Sequence, residues 1–200
     1  MLKAIASVRD QVVRECRNGQ IDLATISRIF TAVTVVDHIV YVCYDTPADN
    51  PIWGEFCRWT RRPSVYDSME TIVEVRYAAH LSEDWRRFVV CKELCHALDT
   101  AEGCHVATAG AIDNIVNAFS LKSAAQAPDH TVPAFQAEII AEAGAIELLF
   151  PLPVRKERLA AGEPLDAAAL AGEFNLPAVY AEMAIDAQYI QAIEWLFANG

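Results

Sequence analysis

The sequence predicts an α+β protein, mostly helical with a small three-stranded sheet, and three observations carry that prediction. Apolar residues recur at helical spacing over residues 2–18, 82–99 and 134–150, and again through an Ala-rich tail at 164–197. β-Branched and aromatic residues crowd into 31–36 and 39–44, and residues 70–77 alternate charged with apolar side chains. Finally, 200 residues at 54% hydrophobic composition can bury a full core.

The first helix rests on Leu2, Ile5, Val8, Val12, Val13 and Cys16, with Asn18-Gly19 as its stop signal. A second, short helix is expected from Asp22 to about Phe30. Residues 31–36 and 39–44 then read as two strands; one long buried helix is the alternative, because periodicity cannot type a continuous apolar run. Pro47, Asn50-Pro51, Gly54 and Pro63 make 45–68 a loop-dominated segment, suited to one wall of a cleft. It carries Trp53, Phe56, Arg58, Trp59, Arg61 and Arg62, which form either a recognition patch for an acidic or helical partner or a Trp-anchored loop with solvated arginines.

Residues 70–77 form the third strand and lead into a helix that Ser82 caps and Glu83 and Asp84 favour by charge. Ile112, Ile115, Val116 and Phe119 mark a further helix, followed by a polar loop through Pro128 and Pro133. The helix from about 134 to 150 is stopped by Pro151-Leu152-Pro153. The tail is helical and broken near Asn175-Leu176-Pro177.

Composition excludes several classes of function. With 27 acidic against 16 basic residues the net charge is -11, so phosphate backbones and anionic lipid surfaces repel the chain as a whole. Direct nucleic-acid binding is disfavoured. The most apolar run, residues 29–44, carries Asp37 and His38 and falls short of the ~20 apolar residues of a spanning helix. Six cysteines without a secretory leader pattern are expected to be reduced thiols in a cytoplasm.

The chemistry concentrates in one helix. Lys92, Glu93 and His96 fall at i, i+1 and i+4, within about 100° of one another, so they share a face. On the later helix Glu138 and Glu142 also share a face. In an H-E-x-x-H helix two His bind zinc together and the Glu between them is the general base. Here Lys92 takes the first His position.

The stretch Arg87-Phe88-Val89-Val90-Cys91-Lys92-Glu93-Leu94-Cys95-His96 resembles the R-F-x-x-A-H-E-L-G-H of the ImmA/IrrE family of zincin-like metallopeptidases. Residues 138–151 (Glu138-Ile139-Ile140-Ala141-Glu142 to Phe150-Pro151) resemble that family's E-x-x-A-N-x-F-A-x-x-L-L-M-P helix, and residues 165–196 its C-terminal helical segment. The resemblance implies a zincin-like (gluzincin) fold over residues 1–155, with 156–200 a helical extension packed on it. It places the strand at 71–77 where the family has its edge strand. It makes Glu93 a vestigial general base, and His96 and Glu138 metal ligands only if a metal is bound.

The departures carry the functional expectation. Lys92 stands for a ligand His, Glu142 for Asn or Asp, and Cys95 for Gly. A protonated lysine has no lone pair for a metal, and surrounding carboxylates hold its proton more firmly. A salt bridge from Lys92 to Glu142 or Glu138 is therefore expected in place of the metal. Cys91, Cys95, Cys104 and His105 match no zinc-knuckle spacing and read as core or loop residues, while His38, His80 and His130 read as isolated.

The chain is thus expected to be catalytically impaired, to need no cofactor, and to act as a regulatory or protein-binding module. By resemblance its partner would be a helix-turn-helix regulator or another protein or peptide, with the edge strand as docking rail. The alternative is a zinc-dependent peptidase with an altered ligand set that cleaves a repressor or antitoxin-like protein. In a third reading the charged cluster only joins helices and the activity lies in the Trp/Arg segment.

Overall fold

The computed structural model describes residues 1–16, 21–99, 133–163 and 165–199. The expected helix at 112–119, with Cys104, His105 and His130, lies outside them. Two N-terminal helices come first. α1 (Leu2–Glu15) turns Ile5, Val8 and Val12 inward, the face that their spacing sets. α2 (Leu23–Val33) starts at Asp22, whose carboxylate accepts the Thr25 N–H at 2.7 Å.

The strand expected at 31–36 does not form. Residues 31–33 complete α2, whose Ile26, Ile29 and Phe30 are buried at helical spacing, and Thr34 ends it by donating N–H and hydroxyl to the Phe30 carbonyl. Val33 and Val35 are exposed, so their β-branched side chains pack against no sheet.

The third strand comes instead from the segment expected to be loop. β1 (His38–Tyr44), β2 (Gly54–Arg61) and β3 (Glu70–Ala78) form one sheet in the order β1-β3-β2, with β1 parallel and β2 antiparallel to β3. The prolines that suggested a loop flank β2 rather than interrupt it. β3, expected at the sheet edge, is therefore its centre, and β2 is an edge. Val73 and Val75 of β3 enter the core.

α3 (Glu83–His96) packs on that sheet and against α4 (Pro133–Leu149), and α4 packs on α1. Ser82 precedes α3, but its side chain makes no capping hydrogen bond. Beyond Pro151 come α5 (Leu152–Ala160), α6 (Ala167–Phe174), α7 (Ala178–Ile185) and α8 (Ala187–Asn199). α6 is capped by Asp166 and ends on Asn175, whose left-handed φ of 48° turns the chain into α7.

One core runs from Ile5 and Val8 through Phe88 and Leu94 to Ile146, Phe150, Phe174 and Ala184, so the C-terminal helices share it with the sheet. Arg155, fully buried, fastens them there. It ion-pairs with the buried Glu147 of α4 and donates to the Ala184 carbonyl of α7 at 2.7 Å. Glu147 also accepts the Leu152 N–H at 3.1 Å and faces Arg9 of α1 at 3.7 Å. Among the described residues no helix is long and apolar enough to cross a membrane.

Candidate functional site: a lysine between carboxylates

α3 is buried almost throughout its second half, and its polar residues each need a partner for that reason. Arg87, the first residue of the motif, is structural: it donates to the Ile21 carbonyl at 2.5 Å and ties α3 to the start of α2. Phe88, Leu94 and Cys91 face the core. Lys92, Glu93 and His96 lie on the side facing α4 and β2.

Lys92 Nζ lies 2.9 Å from Glu93 Oε1 and 3.0 Å from Glu138 Oε2. The other oxygen of Glu138 lies 3.0 Å from His96 Nε2. One carboxylate from α4 thus spans the ammonium and the imidazole of α3. Glu93 Oε1 and His96 Nε2 have these close contacts but no aligned hydrogen bond.

The charges reinforce one another. Burial alone would pull the Lys92 ammonium below its usual range, but Glu93 and Glu138 outweigh it and hold the proton more firmly than in water. Burial would likewise raise Glu138, and the His96 contact and Lys92 charge reverse this, bringing it down to about 2. Lys92 is thus an ammonium and Glu138 a carboxylate at neutral pH.

Sequence reasoning named both candidate partners for Lys92, and the structure separates them. The ion pair forms with Glu138; Glu142, expected to share it, instead accepts the Tyr180 hydroxyl at 3.4 Å. Glu142 is one turn further along α4, where α7 arrives. Tyr180 stacks on Phe88 with ring centroids 3.7 Å apart and meets Trp85 edge-on at 5.8 Å, and Trp85 in turn meets Trp53 at 5.0 Å. The C-terminal helices therefore reach over the motif helix beside the cluster.

Three residues meet the cluster that the sequence reading did not place beside it. Phe56 of β2 lies parallel to the His96 ring, centroids 6.1 Å apart. Gly54 lets the β2 backbone reach α3: a Cβ there would stand 2.3 Å from Val89 Cγ1 and 3.1 Å from Glu93 Oε1. Tyr180 is the third. The alternation Phe56, Arg58, Thr60 against Cys57, Trp59, Arg61 was the available signal for β2; nothing local marked Tyr180.

Among the described residues, those of the cluster do not fit a zinc ion. Tetrahedral zinc takes at least three protein ligands, and the group between Glu93 and Glu138 is an ammonium without a lone pair. Among the described residues no group of three His, Cys, Asp or Glu side chains could hold a metal. Cys91 and Cys95 are fully buried and burial raises their thiol pKa values, that of Cys91 to about 12, as expected of core residues. Cys95 Sγ instead packs over Gly144 of α4. His38 faces Glu70 at 3.4 Å on the sheet, away from the cluster. No protein-family model matches the chain, and no curated protein matches it.

Proposed function

We propose that this chain is a degenerate zincin-like protein of the ImmA/IrrE type, cytoplasmic, without metal-dependent hydrolysis, and working as a regulatory or protein-binding module. One observation carries the reading: Lys92 Nζ sits within 3.0 Å of both the would-be general base and the would-be third ligand. An ammonium there does electrostatically what a dication would do, pulling two carboxylates together, but offers no open coordination position at which water could be activated. Glu93, its carboxylate committed to Lys92, has no metal-bound water to deprotonate. The partner that the resemblance suggests is a helix-turn-helix regulator.

Metal analysis tests this. The purified chain is expected to hold no stoichiometric zinc after zinc is offered at neutral pH, and Lys92→His is expected to gain a site formed with His96 and Glu138. One zinc per unmodified chain, with peptide hydrolysis abolished by Glu93→Gln, would overturn the reading in favour of an active peptidase with an altered ligand set.

A further inference from the structure

We infer that the chain pairs with a second copy of itself through the outer edge of β1, strand against strand, to give one continuous sheet. The inference goes beyond the proposed function and uses none of the Lys92 cluster. β1 forms the edge of the sheet opposite β2, the strand that meets His96.

The backbone of this edge is ready for a partner. The Tyr44 carbonyl accepts the Ala79 N–H at 2.9 Å, so Tyr44 bonds toward β3. Main-chain groups alternate along a strand, and Ile39, Tyr41 and Cys43 therefore turn theirs to the open side. Among the described residues β1 pairs with β3 alone, and no other backbone group bonds to these three. Exposed edges are ordinarily protected from further pairing by charge, proline or a bulge. β2 is protected in this way, by Glu55, Arg58 and Arg61. β1 is not. From residue 39 to 44 it reads Ile-Val-Tyr-Val-Cys-Tyr, without a charge, a proline or a glycine, and its ladder with β3 runs without a bulge. Exposed valines extend the apolar surface beside it, Val40 at 43% and Val35, just before the strand, at 70%.

Charge selects the occupant and its register. Two copies of a chain with net charge -11 repel each other over most of their surfaces, and residues 39–44 are a stretch where they meet without like charges. A two-fold axis between identical strands makes the pairing antiparallel. Placed at Tyr41, the axis would set Asp37 opposite Asp45 of the other copy, like charge against like. At Val42 it would carry the pairing past Tyr44 into the turn that the Asn50 N–H closes on the Pro47 carbonyl. Placed at Val40, it sets Asp37 opposite Cys43 and keeps to the part of the chain that follows the sheet, where the Asp37 N–H donates to the Thr71 carbonyl at 2.9 Å. Ile39 of one copy and Tyr41 of the other then exchange both main-chain hydrogen bonds. The two Val40 residues face each other on the outer side, with ~4.5 Å between their Cα atoms. The joined sheet ends on the charged β2 at both sides, so pairing closes at two copies.

The test is sedimentation equilibrium of the full chain over a dilution series. The parent is expected to show twice the mass of one chain at about 100 μM, a concentration at which even a micromolar dimer is formed. Val40→Glu sets two carboxylates face to face across the axis and is expected to weaken the dimer at least about tenfold. Thr60→Glu adds the same charge to the exposed part of β2 and is expected to leave the dimer as it was. Val40→Cys is expected to link the copies under mild oxidation, each introduced thiol to its counterpart, because ~4.5 Å between Cα atoms lies within the span of a disulfide. A parent that stays monomeric, a dimer that tolerates Val40→Glu, or an equal loss with Thr60→Glu would each overturn the proposal. So would the absence of a link, or a link through Cys43 or Cys57 in place of position 40. The mass of the parent and the thiol link decide the matter even if Val40→Glu loses its far-ultraviolet circular dichroism. Zinc content of the same preparation bears on Lys92 alone and leaves the dimer result untouched.

Discussion

Glu138 stays charged while partly buried because the His96 contact and the Lys92 ammonium together outweigh its burial, and Lys92 because Glu93 and Glu138 outweigh its own. The folded carboxyl of Glu138 sits at about 2 against an unfolded value of 4.5. A carboxyl lowered by folding stabilises the folded state above its unfolded pKa, and that stability drains away as pH falls through the folded value. The window is therefore from about pH 4.5 down to about pH 2. With Glu138 still 22% accessible to solvent, the contribution is about 2 kcal/mol. Replacing Lys92 by Ala removes the ammonium between Glu93 and Glu138 and leaves Glu138 only its His96 contact, at an expected cost of about 2–3 kcal/mol at neutral pH. Urea unfolding at a series of pH values checks this: the Lys92→Ala chain should lose much of the acid-limb slope of the parent. Parallel pH profiles for the two chains would show that the pair contributes nothing.

Which residues share a face of α3 was legible from spacing alone, because helical geometry is local. Which carboxylate Lys92 would take was not. Glu138 and Glu142 differ by one turn, and the choice between them depends on the axial register of α3 against α4.

At the scale of elements, that register is held by a close approach. A Cβ on Gly144 would stand 2.7 Å from Cys95 Sγ and 2.9 Å from Ile5 Cδ1, so the larger residue on α3 is accommodated by the absence of a side chain on α4. The resemblance has glycine at the Cys95 position; here the small residue lies across the interface. Gly144→Ala is expected to destabilise the chain by about 1–3 kcal/mol through overpacking, in spite of the better helix propensity of Ala. Cys95→Ala in the same chain should restore part of that loss. Thermal melts of the two single variants and the double variant give the coupling directly, and simple additivity would mean that the two positions do not meet.

Two assignments, the strand at 31–36 and the loop over 54–61, failed for a related reason. Residues 31–36 have strand composition but extend an existing helix, and 54–61 have a strand's alternation between prolines that read as a loop. Neither segment's state is set by its own residues. β2 exists because β3 offers it a partner and Gly54 lets it pass over Val89.

At the scale of the whole molecule, Arg155 joins what the sequence divides. The resemblance implies a helical extension packed on residues 1–155, and the buried Arg155 bonds to α4 and α7 together, with the apolar core continuous across them. Arg155→Met leaves the buried Glu147 with the Leu152 N–H and, for charge, the more distant Arg9, and is expected to cost about 3–5 kcal/mol. Far-ultraviolet circular dichroism, which weights all helices, and tryptophan fluorescence, which weights the sheet side, should report one coincident transition that shifts as a unit. Two separated transitions would show that the extension unfolds on its own. The composition of the tail made its helices legible, but a lone arginine and a lone glutamate eight residues apart carry no sign of being buried together.

The sequence by itself determined the helices with strong apolar periodicity, the common face of Lys92, Glu93 and His96, and the unsuitability of an ammonium as a metal ligand. These follow from helix geometry and side-chain chemistry, which need no distant partner. Only the tertiary structure decided that β2 rather than β3 forms a sheet edge, that Lys92 takes Glu138 and leaves Glu142 to Tyr180, and that the C-terminal helices reach the motif helix. Each depends on how elements far apart in the chain settle against one another. That settlement is the sum of many weak packing contacts, and no local pattern records it.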